Sequence, residues 1–132
     1  MSAIPDSHRE LAETAGIAIL TTLGADGFPQ STAVGYLLDG DVFRFTVSSG
    51  KQKVRNLRRT PECTVFLVDP ANLYRTVEVR GRAELIADDD FAWAARIAES
   101  RGSDVENVRR ITPPGEQRIC IAVHPVKVNT YG

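Results

Sequence analysis

Cysteine is scarce: two residues, Cys63 and Cys120, in a chain of 132, set in alternating apolar stretches without CxxC spacing. That argues against a disulfide-stapled scaffold and marks both thiols as reduced core residues of a cytoplasmic protein. Histidine is as rare. His8 and His124 lie far apart with no Cys, Asp or Glu at metal-ligand spacing, so no metal site is expected, and His124 before Pro125 reads as a strand-end residue. Neither sign of charge dominates. Sixteen Lys and Arg against 17 Asp and Glu leave a formal net charge of −1, which argues against a chain that coats nucleic acid or an anionic membrane. No uncharged apolar run approaches membrane-spanning length, and "MSAIPDSHRELAETAG" has neither a basic n-region nor an apolar h-region, so neither secretion nor insertion is expected. The hydrolase and nucleotide signatures GxSxG, GxGxxG and HExxH are missing, and "SSGK" lacks the upstream glycine of a P-loop.

What is present is an ordinary globular composition, 42% hydrophobic and 25% charged, at a length that fits one domain over residues 1–132. "DSHRELAETA" predicts a short helix with Asp6 or Ser7 as its cap. The period then changes to two. "GIAILTTL", "PQSTAVGYLLDG" and "DVFRFTVSS" read as three strands of a meander joined by "GADG" and the Asp39-Gly40 turn. After a basic segment come "CTVFLVD", a loop "PANLY", and the long strand "RTVEVRGRAELI", in which Gly81 marks a bulge. "DDDFAWAARIAESR" is the clearest helix, with acids at its positive end. A loop containing "TPPGE" leads to the closing strand "QRICIAVHPVKVNTY". The fold class expected is mainly β (α+β). It is a six-stranded antiparallel barrel, Greek-key-like, with a short helix after the third strand and one longer outer helix.

The basic segment is "SSGKQKVRNLRRTPE", in which Lys51, Lys53, Arg55, Arg58 and Arg59 fall within nine residues. Ser49 is a candidate cap, Gly50 admits a ligand close to the backbone, and the next amides are the unpaired donors of a first helical turn. Val54 and Leu57 must point into the barrel, with Lys51 roughly on their side and Lys53 pointing elsewhere. The basic residues therefore need not share one task. Lys51 and Lys53 are assigned to a phosphate, Arg58 and Arg59 to solvent or a subunit contact; the alternative is a solvated charged face. "PQSTAVGY" sets hydroxyl and amide groups among small residues, which leaves room for a planar ligand or simply describes an edge strand. Tyr74 and Arg75 in "DPANLYRT" either cover a ligand or pack.

Together, "KxRNLRRxP" and "DPxNxYRxVEVRGRA", within a match over about residues 10 to 131, resemble the split β-barrel family of pyridoxamine 5'-phosphate oxidase-like proteins and flavin or deazaflavin oxidoreductases. The nearest likeness is to the coenzyme F-420-dependent branch. The resemblance implies a homodimer with two shared cofactor sites at its interface. By position, Ser48, Ser49, Lys51, Lys53 and Asn56 would hold the phosphate. Pro29, Gln30, Ser31, Thr32 and Val34 would line the deazaflavin ring, with Tyr74 and Arg75 arriving from the other subunit. It further implies an oxidoreductase that passes a hydride between coenzyme F-420 and a conjugated small molecule such as an enone, quinone or tetrapyrrole, without a protein nucleophile. Flavin mononucleotide (FMN) is the alternative cofactor, and binding without turnover the alternative role.

Two departures matter. The tryptophan- and arginine-rich segment with which pyridoxamine 5'-phosphate oxidases proper end has no counterpart in the closing "VKVNTYG", so that activity is not expected. Lys51 stands where many deazaflavin-binding relatives carry arginine, a point charge in place of a bidentate fork.

Overall fold

The pattern of alternating apolar residues closes on itself. In the computed structural model, which describes residues 2–132, six strands form one closed antiparallel barrel in the order β1-β2-β3-β6-β5-β4. They are β1 (Ile17–Leu23), β2 (Pro29–Asp39), β3 (Val42–Ser48), β4 (Glu62–Asp69), β5 (Asn72–Ala87) and β6 (Arg118–Tyr131). Four helices accompany them: α1 (Asp6–Thr14), α2 (Gln52–Arg59), α3 (Ala92–Ser100) and α4 (Val105–Ile111). Inward side chains such as Leu20, Phe43, Phe45, Val65, Val77, Val79 and Ile121 are buried and fill the barrel. Val54 and Leu57 of α2 join the same cluster, as the spacing of the basic segment requires.

The long β5–β6 ladder runs from Thr76↔Tyr131 to Ala87↔Ile119 and shifts register between Arg80 and Gly81. A Cβ at Gly81 would stand 2.6 Å from Val123 Cγ1 and 2.8 Å from the His124 carbonyl, so the expected bulge is also where a side chain has no room. Cys63 and Cys120 are free and buried. His124 lies within β6 rather than at a strand end, and its Nε2 is 3.1 Å from Glu84 Oε1.

Local corrections have local causes. Helix α1 is entered through Pro5, with no side-chain cap from Asp6 or Ser7; proline's fixed φ already sets the entry. The predicted loop "PANLY" shrinks to the turn at Pro70 and Ala71, so Tyr74 and Arg75 are strand residues of β5. The outer helix α3 has its first amides bound by Asp88, which accepts from Trp93 N at 3.0 Å and Ala94 N at 2.9 Å. A second outer helix, α4, stands in the segment expected as loop, capped by Asp104, whose side chain accepts from Asn107 N at 3.0 Å.

Candidate functional site

Strands β2 and β3 pair only from Tyr36↔Phe45 to Asp39↔Val42. Below that point they part. Residues Pro29 to Gly35 remain bonded to β1, while Phe43 to Ser48 remain bonded to β6. The parted strands leave a cleft with one open backbone edge on β2, and the chain crosses its mouth through Ser49 and Gly50 into α2. Along β2 the side chains alternate: Gln30, Thr32 and Val34 turn toward the barrel, Pro29 and Ser31 outward. The five predicted ring contacts therefore share the strand's edge, not one face. Ser31 Oγ lies 2.8 Å from Thr21 Oγ1. Thr32 Oγ1 is buried with no hydrogen-bond partner, a polar atom that a ligand in the cleft would satisfy.

The loop at the mouth is held from the β6 side. Ser49 N donates to the Gln117 carbonyl at 2.9 Å, and Gln117 N donates back to Ser49 Oγ at 3.0 Å. Ser49 is thus not the cap of α2; Lys51 occupies that position without a side-chain cap bond. The β3–β6 ladder simply continues past Ser48 and claims the serine. Gly50 N donates to Glu116 Oε1 at 2.6 Å. Ser48 is buried, and its carbonyl accepts from Lys51 N at 3.2 Å.

Lys53, read from the sequence as pointing elsewhere, is half-buried beside the Lys51 charge. Burial first, and Lys51 second, push its pKa down. Among the described residues neither lysine has a carboxylate within ion-pair distance. Two like charges, one partly desolvated and neither compensated, describe a place suited to an anion. Arg55 instead ties down the loop through the Gly50 carbonyl and Gln52 Oε1, both at 2.8 Å. Arg59 donates to the Leu23 carbonyl at 2.9 Å.

Asn56 is buried, and its amide is already engaged with Thr22 Oγ1 at 3.0 Å and Gln52 Nε2 at 2.8 Å. With Pro29 and Gln30 it lines a cavity of about 500 Å³, to which Phe28 and Gln52 also contribute. Gln52 was considered only for its backbone amide and Phe28 not at all; Phe28, beside the "GADG" turn, is 73% exposed.

Tyr74 and Arg75 lie elsewhere. Their stretch of β5 sits beside the far end of β4 and the last residues of β6, the end of the barrel opposite Pro29. Tyr74 is 77% exposed. Arg75 is tied to α1 and β4, through Asp69 Oδ2 at 3.0 Å, the Ser7 carbonyl at 2.7 Å and the Glu10 carboxylate. One chain does not bring these two residues to the cleft.

A split barrel with a basic helix start at the mouth of its split defines a class, and similarity agrees. A family model for pyridoxamine 5'-phosphate oxidase matches residues 4–131. The chain belongs to that family and resembles its coenzyme F-420-dependent members. It is 35% identical over 115 residues to the F420H(2)-dependent biliverdin reductase of Mycobacterium tuberculosis, covering 85% of this chain and 77% of that protein. A solved F420 reductase superposes with a TM-score of 0.82 at 30% identity, over 96% of this chain and 98% of the other. A heme storage protein from Vibrio cholerae shares the fold at 16% identity and a TM-score of 0.69, over 100% and 96% of the two chains. Among the described residues no helix is long and apolar enough to cross a membrane, and no cluster of metal-ligating side chains occurs.

Proposed function

We propose that the protein is an oxidoreductase that binds coenzyme F-420 in the β2–β3 cleft and delivers reducing equivalents to a conjugated small molecule. The observation that carries this reading is the uncompensated Lys51–Lys53 pair at the mouth of a cleft whose β2 edge has no strand partner. Lys51, Lys53 and Ser48 hold the phosphate. The open edge of Pro29, Gln30, Ser31, Thr32 and Val34 would line the ring, and the unpartnered Thr32 hydroxyl would be available to hydrogen-bond it. Ser49 and Asn56 act as frame, the first fixing the loop to β6 and the second fixing α2 to β1 and β2.

When bound, the deazaflavin supplies hydride chemistry at its C5, so the chain has to orient, exclude water and stabilise developing charge. The lysines would hold the phosphate-bearing tail, and the strand edge would orient the ring. Ser31 and Thr21, hydrogen-bonded to each other on the outer face of β2 and β1, are hydroxyls able to hold a proton beside the acceptor.

The working unit in this reading is a homodimer. Ile17, Ile19 and Leu23 of β1 and Val68 of β4 expose apolar side chains. Nearby, a mainly apolar cavity of about 390 Å³ runs over Leu23, Cys63, Gly81 and Val126. A face of this kind is one that a second barrel covers. Dimerisation gives Tyr74, remote from its own cleft, a route to the partner's, while Arg75 holds the start of β5 in place.

The test is turnover: purified protein mixed with chemically reduced coenzyme F-420 and, in turn, biliverdin, a quinone and an enone, following return of the oxidised deazaflavin's absorbance. Acceptor-dependent oxidation is expected for at least one of them. Cofactor binding without oxidation by any acceptor would reduce the reading to a carrier, and no binding would remove it.

A further inference from the structure

The start of β6 buries a charge that the cleft does not use. Arg118 is 6% exposed. Its Nε donates to Thr46 Oγ1 at 2.9 Å, Nη1 to Thr112 Oγ1 at 3.0 Å and Nη2 to the Thr46 carbonyl at 3.3 Å. A guanidinium carries five N–H donors, so two remain. Among the described residues no carboxylate stands within ion-pair distance of it. Asp88 is the one acid whose charge it feels, and both Asp88 oxygens are spent on the first amides of α3. Burial pushes the Arg118 pKa down, with Asp88 opposing. A buried cation in this condition is costly unless something completes its surroundings.

A cavity adjoins it. Between the α3–α4 pair and the β2–β3–β6 face lies a space of about 340 Å³ bordered by Arg118. Arg101, which ends α3, brings a second guanidinium over Gly35: a Cβ there would fall 1.8 Å from Arg101 Nη1. Only a glycine lets the side chain lie that close to the strand. Ser103 and Asn107 add polar groups to the rim, Ile97, Val108 and the 70%-exposed Ile111 form an apolar wall, and among the described residues no acid borders the space. Two cations on one side and hydrocarbon on the other call for a ligand with both characters.

We propose that this cavity binds an amphipathic monocarboxylate, its head between Arg101 and Arg118 and its apolar body against Ile97, Val108 and Ile111. The planar forks of the two arginines match a carboxylate, which accepts parallel N–H bonds. The cavity meets the parted strands at Gly35 and Thr46, but the carboxylate reading does not rest on the deazaflavin one.

Titration calorimetry on the full chain tests it with three probes: octanoate, octan-1-ol and inorganic phosphate. Octanoate is expected to bind in the millimolar range or tighter, and octanol about tenfold or more weaker, the factor expected for losing one charge-assisted contact. Arg118→Gln risks unfolding the β6 start, so the deciding variants are Arg101→Gln and Gly35→Ala. The first removes the exposed guanidinium; the second displaces it while keeping its charge. Both should weaken octanoate about tenfold with an unchanged melting temperature. Equal binding of octanoate and octanol, no effect of Arg101→Gln, or phosphate binding as tight as octanoate's would each overturn the proposal.

Discussion

The hairpin of β2 and β3 has two halves that do opposite things. In its paired half, Tyr36 packs against Phe43 and Phe45, its ring tilted 48° and 49° to theirs with centroids 5.2 and 6.0 Å away, and the Tyr36 hydroxyl donates to the Ala12 carbonyl at 2.6 Å. Its parted half carries the small polar residues Ser31, Thr32 and Ser48 beside the apolar Val34 and Val47, an orphaned hydroxyl sits on one strand, and uncompensated lysines follow the other. Large apolar side chains close the barrel where stability is needed. Small polar ones line it where the proposed cofactor would lie, and in that reading the difference separates folding from binding along one pair of strands.

The largest expected effect breaks the paired half. Phe45 is fully buried, and Phe45→Ala should cost about 3–5 kcal/mol of stability in urea denaturation. The folded fraction should keep its affinity for coenzyme F-420. Lys53→Ala should do the reverse. Losing a charge-assisted contact to phosphate weakens cofactor binding by about 1–3 kcal/mol. Stability holds or rises, because a partly desolvated charge beside Lys51 is gone. A variant that lost both together would erase the distinction between the halves.

A smaller effect sharpens it. Tyr36→Phe removes the bond to α1 and should cost about 1 kcal/mol. The same residue makes the paired half sensitive to alkali. Burial pushes the Tyr36 pKa up to about 12, against an opposing bond to Gly16, and burial with help from Glu62 pushes the Cys63 thiol up to about 12. Above the ordinary values of 10.0 and 9.0 the unfolded chain has released protons that the folded one still holds. The unfolded state binds fewer, so stability falls with rising pH across the window from about 9 to 12. In Tyr36→Phe the upper part of that fall, above pH about 10, should flatten. Denaturation midpoints measured across the range decide it. The smallest effect belongs to Arg59→Ala, which leaves cofactor affinity within about 0.5 kcal/mol of the parent, since Arg59 serves the Leu23 carbonyl.

How much of this could be read in advance follows from how local each signal is. The meander, the Gly81 bulge and the inward Val54 and Leu57 are set by periods of two and 3.6 and by glycine, and they stand in the structure as read. Helix α4 was missed because its seven residues bury one, Val108, so its apolar pattern is too short to be seen. Ser49 looked like a cap because capping is a local rule; the partner that claims it, Gln117, is 68 residues away. The half-burial of Lys53 was not legible for a similar reason, since it depends on tertiary packing and not on the helix's own period. At the cleft, the basic pair Lys51 and Lys53 was legible. The parting of β2 from β3 was not, because strand register beyond Tyr36 is fixed by competition with β1 and β6.

The central claim is that the parted half of this hairpin is a deazaflavin site with a lysine clamp. Its most direct test is a fluorescence-quenching titration of the purified protein and of Lys53→Ala with coenzyme F-420 and, separately, with FMN. The account predicts micromolar binding of coenzyme F-420, tighter than FMN, with the Lys53→Ala loss stated above. Equal or reversed affinities for the two cofactors, or an unchanged coenzyme F-420 affinity in Lys53→Ala, would contradict it.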